Sequence, residues 1–188
     1  MTTTIEDRVF TADDLSKLPD AVAYELVDGK LLERQMGAES SEVAIAIATL
    51  LFLFLRERRL GRVFGSDTSY QCFANDPNRV RRADVGFVRF ERLPDGRAPK
   101  GNIEVSPDLA VEVISPNDTA EEVEETVNDW LSAGVPLVWV VSPTFRTVRI
   151  HRPRSSALGP IAELTETDNI DGEDVLPGFS SPVRAFFE

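Results

Sequence analysis

Three acidic residues stand in or beside apolar, strand-like stretches of the sequence, where a carboxylate needs a partner. Glu112 lies within the run LAVEVI, Asp84 opens the run DVGFV, and Glu25 precedes the Asp28-Gly29 dipeptide. Burying a carboxylate is costly unless it is paired or binds a cation. Carboxylates on neighbouring strands suit Mg²⁺, which prefers hard oxygen ligands. A metal held there would activate water and stabilise the charge that develops during phosphodiester hydrolysis.

Ordinary ion pairs explain the same acidic residues equally simply. Asp84 follows Arg81 and Arg82 and could pair with either, and Glu25 could pair with Lys30 across a hairpin. Two isolated acids therefore indicate a metal site only weakly when spacing is the sole evidence.

The elements that would position these acids follow from local patterns. Alternating residues around Asp28-Gly29 predict a hairpin. A capped apolar helix is expected to begin at Ser40 or Ser41, and a second helix, capped by Asn117 or Thr119, is expected to run through Ala133. Strands are predicted over residues 61–73, 83–90, 108–115, 137–141 and 147–151. The strand–helix–strand order over residues 108–141 predicts an α/β fold, as one domain over residues 1–188, whose mixed central sheet is flanked by helices.

Composition limits the classes of function. The single Cys72 and the single His151 exclude a disulfide framework within the chain and zinc sites built from several such ligands. The formal net charge of −12 disfavours nucleic-acid binding in general, although residues 56–100 combine 11 basic with six acidic side chains. The first 20 residues lack a signal-peptide pattern, and the apolar run over residues 43–55 is too short to cross a bilayer. A cytoplasmic location without a membrane partner is therefore expected.

Five stretches carry a resemblance to a known family, and they cover nearly the whole chain in the family's order. They are YELVDGKLLERQMG, RRADVGFV, PDLAVEVISPND, EEVEETVNDWLSAGVPLVWVVSP and VLPGF. This order resembles the Uma-two family of restriction endonucleases, within the PD-(D/E)xK nuclease superfamily. The resemblance implies a restriction-endonuclease-like core, Mg²⁺ (or Mn²⁺) as cofactor and DNA as substrate.

The resemblance also implies roles for individual residues. Asp84 matches the Asp of the motif, although Ala83 stands where its Pro is usual, and Glu112 matches the second acid. These two side chains would hold the metal, with the backbone carbonyl of Val113 as a further ligand. Glu25 matches an upstream acid and would act as an outer or bridging ligand.

The chain departs from the family where a lysine is expected. In the superfamily, a lysine follows the second acid by two residues, and this chain has Ile114 at that position. Relatives within the family resemble one another in having a lysine on the next helix instead, and this chain has Thr126 there. Losing a catalytic cation costs roughly 10²–10⁴-fold in rate. The resemblance therefore implies a metal-dependent DNA endonuclease that is impaired, unless another cation substitutes. The candidates for that cation are Lys30, Lys100, Arg81 and Arg82.

Two other functions stay open: a non-catalytic binding or assembly module on the same fold, and an enzyme for a small phosphorylated substrate, which the acidic composition suits better. Apolar Phe52, Leu53 and Leu55 lie off the inward stripe of the first long helix and predict a homodimer. Both tryptophans, Trp130 and Trp139, are expected in the core. His151 is expected at the surface.

Overall fold

The fold is built on a six-stranded sheet. The structure is a computed structural model, and it describes residues 8–188 of the chain. The strands are β1 (Tyr24–Val27), β2 (Lys30–Glu33), β3 (Gly61–Gly65), β4 (Val85–Arg89), β5 (Leu109–Val113), β6 (Leu137–Ser142), β7 (Thr147–His151), β8 (Ile161–Thr165), β9 (Asn169–Gly172) and β10 (Leu176–Pro182). The α-helices are α1 (Ala12–Ser16), α2 (Ala38–Arg58) and α3 (Ala120–Ser132), and short 3₁₀ turns cover Ala21–Ala23, Phe90–Arg92, Pro94–Gly96 and Val183–Phe186.

The central sheet has the order β3-β4-β5-β6-β7-β8, and β1-β2 and β9-β10 form separate two-stranded sheets. Only the β5–β6 pair within the central sheet is parallel. Parallel strands need a crossover connection, and α3 supplies it. The predicted mixed sheet and its strand–helix–strand unit are therefore confirmed, whereas the single-domain boundary stays a prediction.

The predicted N-cap is confirmed for α3 and wrong for α2. Thr119 forms a reciprocal capping box with Glu122 at the start of α3. Gly37, and neither Ser40 nor Ser41, is the N-cap of α2. The hydroxyl of Ser40 lies 3.0 Å from that of Ser115, just after β5, so this serine joins the helix to the sheet.

Apolar side chains cover both faces of the central sheet. On one face, α2 packs its buried residues Val43, Ile47 and Leu51 against β4 and β5. On the other, α3 contributes Trp130, which packs with Tyr70. Trp130 and Trp139 are both fully buried, which confirms their predicted place in the core.

His151 is buried, with 3% of its surface exposed, so its predicted surface position is wrong. It lies in β7 and is paired with both neighbouring strands, opposite Val138 and Ile161. The segment after residue 151 supplies β8, which pairs with β7 and makes it an interior strand of the sheet.

Helix α2 extends the apolar run of residues 43–55 to 21 residues and is, contrary to the expectation from that run, long and apolar enough to cross a membrane by length and composition alone. Core helices of soluble proteins satisfy the same criterion. Its packing against β3, β4 and β5 is that of a core helix.

Gly86 in β4 is a test of how tightly the sheet is packed. A Cβ atom on Gly86 would lie 2.0 Å from the hydroxyl of Tyr70, whose ring is fully buried. Overpacking of this kind costs about 1–3 kcal/mol, so we expect Gly86→Ala to lower the melting temperature by several degrees. Gly65→Ala in the adjacent strand is the matched control, because its Cβ would meet nothing within 4 Å. Equal melting temperatures for the two variants would contradict this packing.

Candidate active site

A pocket of about 370 Å³ opens where the β1–β2 hairpin, the start of β4, the end of β5 and the first turns of α3 meet. Glu25, Asp84 and Glu112 all line this pocket, so the fold brings together the three acids expected from the sequence. Strands β4 and β5 are antiparallel neighbours, with Val85 opposite Val111. This register carries Asp84, just before β4, and Glu112, near the end of β5, to the same end of the sheet.

Asp84 is held by two donors and is almost fully buried. Its Oδ2 accepts the backbone N–H of Val113 at 2.8 Å, and its Oδ1 accepts Nη2 of Arg34 at 3.1 Å. Burial raises the pKa of Asp84 to about 6, although the Val113 N–H and the Arg34 charge act in the opposite direction. The expected pairing with Arg81 or Arg82 is wrong, and Arg34 takes that place.

Glu112 is bonded from α3. Its Oε1 accepts the indole N–H of Trp130 at 2.6 Å. Burial of the carboxyl raises its pKa well above the ordinary value, and the nearby charges of Asp84 and Glu25 raise it further, while the Trp130 hydrogen bond lowers it. Glu112 and Asp84 thus form a pair whose negative charges disfavour one another in a poorly solvated place.

Glu25 is engaged on both carboxylate oxygens. Its Oε2 accepts Nη1 of Arg81 at 2.8 Å, and its Oε1 accepts the backbone N–H of Arg82 at 2.6 Å. In the hairpin, Glu25 lies opposite Leu32 and Lys30 lies opposite Val27, so the expected Glu25–Lys30 pair is wrong. Glu25 instead joins the hairpin to the segment that leads into β4.

Arg34 is the pocket residue that sequence reasoning missed. It follows β2, and its side chain, 18% exposed, donates to the carbonyl of Ser66 at 2.8 Å as well as to Asp84. Its backbone N–H bonds the carbonyl of Ala23, so the hairpin register sets it beside the start of β1. The hairpin pattern could have identified this residue from the sequence, because Arg34 is the one basic residue between Lys30 and Arg56.

The four cations proposed as substitutes for the lysine have other surroundings. Arg82 lines the pocket, but its guanidinium donates to the carbonyls of Tyr24, Asp67 and Ala21. Arg81 pairs with Glu25 and with Asp129 of α3. Lys30 is exposed, and Lys100 lines a separate pocket. Within residues 8–188, none of these four side chains donates to Asp84 or Glu112, whereas Arg34 does.

Ile114 and Thr126, the two positions where a lysine is expected, both line the pocket. The hydroxyl of Thr126 donates to the carbonyl of Glu122 within α3 at 2.9 Å. A longer side chain at position 126 would therefore start from the pocket wall.

The donor set fits a hard divalent cation held by few protein ligands. Asp84 and Glu112 offer carboxylate oxygens whose negative charges are only partly compensated. Among residues 8–188, no group of three or more His, Cys, Asp or Glu side chains is placed to hold a metal ion. Mg²⁺ keeps several waters and is commonly bound through one or two carboxylates, so this set suits it. The roles of Asp84, Glu112, Glu25 and the Val113 carbonyl as ligands all stay predictions.

The family model for Uma2, described as "Putative restriction endonuclease", matches residues 12–184. The chain belongs to the Uma2 family. Among solved structures, a "putative nuclease belonging to DUF820" from Anabaena variabilis has a similar fold, with a TM-score of 0.77 at 19% sequence identity. The alignment covers 95% of this Uma2 chain and 97% of that one, which confirms the nuclease-like fold. No curated protein matches the chain.

The buried charge of Glu112 predicts a stability cost at neutral and alkaline pH. Because its native-state pKa is raised, the folded protein binds a proton more tightly than the unfolded chain, so stability falls as the pH rises through that pKa. Glu112→Gln keeps an acceptor for Trp130 and removes the charge. We expect it to raise the melting temperature in EDTA at pH 8 by a few degrees, and the gain to shrink at pH 5.

The matched control is Glu104→Gln, which removes the same charge at an exposed position. A Glu112→Gln variant that melts below the wild type at pH 8 would contradict the buried-charge interpretation.

Proposed function

We propose that this Uma2 protein is a Mg²⁺-dependent (or Mn²⁺-dependent) endonuclease that hydrolyses phosphodiester bonds in DNA in the cytoplasm, and that the absence of the family's lysine impairs it. The observation that carries the proposal is the Asp84–Glu112 pair that lines one pocket: Asp84 is buried, Glu112 is half-buried, and the pKa of each carboxyl is raised. A protein gains little stability from holding two only partly compensated carboxylates together unless a cation joins them.

The roles of the acids follow from their contacts. Asp84 and Glu112 would hold the metal, and the carbonyl of Val113 would be a further ligand. A bound metal would lower the pKa of water and stabilise negative charge on the scissile phosphate. Both oxygens of Glu25 already accept hydrogen bonds, which favours an outer role in which it positions Arg81 and the start of β4.

Arg34 is proposed as a cation that replaces the lysine only in part, which leaves the enzyme impaired. Its guanidinium lies at the pocket wall and carries several N–H donors, so it can bond a phosphate oxygen as well as a carboxylate. It donates to Oδ1 of Asp84, the residue proposed to hold the metal. A metal held by Asp84 would lie near this like-charged guanidinium, and Arg34 would then be placed to bond a phosphate oxygen.

Metal binding at Asp84 tests the proposal first. We expect titration calorimetry with Mg²⁺ or Mn²⁺ at pH 8 to give binding at millimolar or lower concentration, and Asp84→Asn to abolish it. Asp95→Asn is the control, since Asp95 is exposed and its positive φ of 52° suits asparagine. A wild-type protein that binds neither metal at millimolar concentration would end the enzyme proposal.

The competition at Asp84 predicts an unusual effect of Arg34→Gln. We expect tighter Mg²⁺ binding, by about fivefold (~1 kcal/mol), because a like charge beside the metal is removed. Nuclease activity should fall in the same variant because the phosphate loses a donor. Arg97→Gln removes an exposed positive charge outside the pocket and should change neither quantity. Unchanged or weaker metal binding in Arg34→Gln would contradict the proposed role of Arg34 beside the metal.

The missing lysine can be restored. Thr126→Lys is expected to raise metal-dependent cleavage of plasmid and oligonucleotide substrates by at least tenfold, within the roughly 10²–10⁴-fold that a catalytic cation contributes. Glu125→Lys is the matched control, because it adds a lysine one residue away at an exposed position outside the pocket. Adding Asp84→Asn to Thr126→Lys should remove the gain. Equal activity in the two lysine variants would argue against impairment at position 126.

A non-catalytic module is the second candidate, and Ile114 and Thr126 together favour it. Such a module would bind the metal but cleave none of the substrates, even when it carries Thr126→Lys. The pocket volume of about 370 Å³ is also within the range of small-molecule sites, so a small phosphodiester belongs in the same substrate panel.

A further inference from the structure

Helix α2 has a second apolar face that the fold leaves uncovered. Ile45, Phe52 and Leu53 are 64%, 56% and 52% exposed, and the exposed Thr49 lies between them. At 100° per residue, these positions form one stripe on the side of the helix opposite buried Ile47. Large apolar side chains that gather on one exposed helix face mark an interaction surface.

We propose that this face is the interface of a symmetric homodimer, in which α2 of a second copy packs antiparallel across Thr49. A two-fold interface must be complementary to itself. The stripe meets that requirement, because Ile45 and Leu53 lie four residues to either side of Thr49. The small threonine at the centre lets two helices cross closely. This proposal is independent of the nuclease function.

The charges on the same helix select the antiparallel orientation. On the face of Thr49, exposed Glu42 lies near the N-terminal end of the helix and exposed Arg56 lies near its C-terminal end, each about 20° from Thr49 around the helix. Glu42 and Arg56 are each seven residues, or about 10 Å, from Thr49. An antiparallel pair sets the acidic end of each helix beside the basic end of the other, whereas a parallel pair would set like charges together. The helix dipoles favour the same arrangement.

The same charges argue against an anionic membrane surface as the occupant. The acidic end of α2 and the net charge of −12 would be repelled by such lipids. A second copy of the chain needs no other component and satisfies both the apolar stripe and the charges at its ends.

Analytical ultracentrifugation of the full chain tests the interface. We expect a species of twice the 20.8 kDa chain mass at micromolar concentration, and a monomer for Phe52→Glu. Phe145→Glu is the control, because Phe145 is 77% exposed and lies outside α2, so this variant should stay dimeric. A monomeric wild type at 100 µM, or a wild type that binds anionic vesicles as a monomer, would overturn the proposal.

Charge reversal tests the orientation without disturbing the apolar stripe. Glu42→Arg and Arg56→Glu should each weaken the dimer, by about threefold or more in its dissociation constant, as exposed charge pairs do. The two changes together restore opposite charges across an antiparallel pair and should recover wild-type affinity. A double variant that is no tighter than the single variants would rule out this register. Circular dichroism of each variant checks that the monomer is folded.

Discussion

The carboxylate of Asp84 organises the site, because four elements reach it directly or through one intermediary. The hydrogen bond that Asp84 accepts from the Val113 N–H joins the residue before β4 to the end of β5. The contact of Asp84 with Arg34 holds the β1–β2 hairpin against the sheet. The charge of Asp84 acts on Glu112, which Trp130 ties to α3. Asp84 therefore joins the sheet to the hairpin, and Glu112, whose negative charge opposes that of Asp84, joins the sheet to α3.

This arrangement is a poor choice for stability alone. Asp84 and Glu112 each have a raised pKa, so their charged forms are disfavoured by burial and by one another, and Arg34 compensates only part of that charge. Glu25 differs, because Arg81 and a backbone N–H satisfy it fully. The contrast separates an acid that fixes the scaffold from a pair that has capacity left for a cation, and it is the physical basis of the proposed metal site.

The parts of the fold that the sequence predicts correctly rest on local signals. The Asp28-Gly29 turn, the Thr119 cap and the apolar strands of residues 109–113 and 137–142 are each encoded by neighbours in the chain. Asp84 and Glu112 can be predicted from the sequence because a carboxylate stands out beside or within an apolar strand. Partners distant in sequence were missed: Arg34 lies 50 residues from Asp84, and Arg81 lies 56 from Glu25. The Ser40–Ser115 contact and the burial of His151 likewise depend on tertiary neighbours that no local pattern reveals.

The most direct test of this account is a crystal structure of the protein grown with Mn²⁺ at pH 8, with anomalous scattering used to locate the ion. We expect an anomalous peak between the carboxylates of Asp84 and Glu112, with the Arg34 guanidinium moved away from Asp84. Crystals at millimolar Mn²⁺ that show no peak between these carboxylates, with Arg34 still bonded to Asp84, would contradict it.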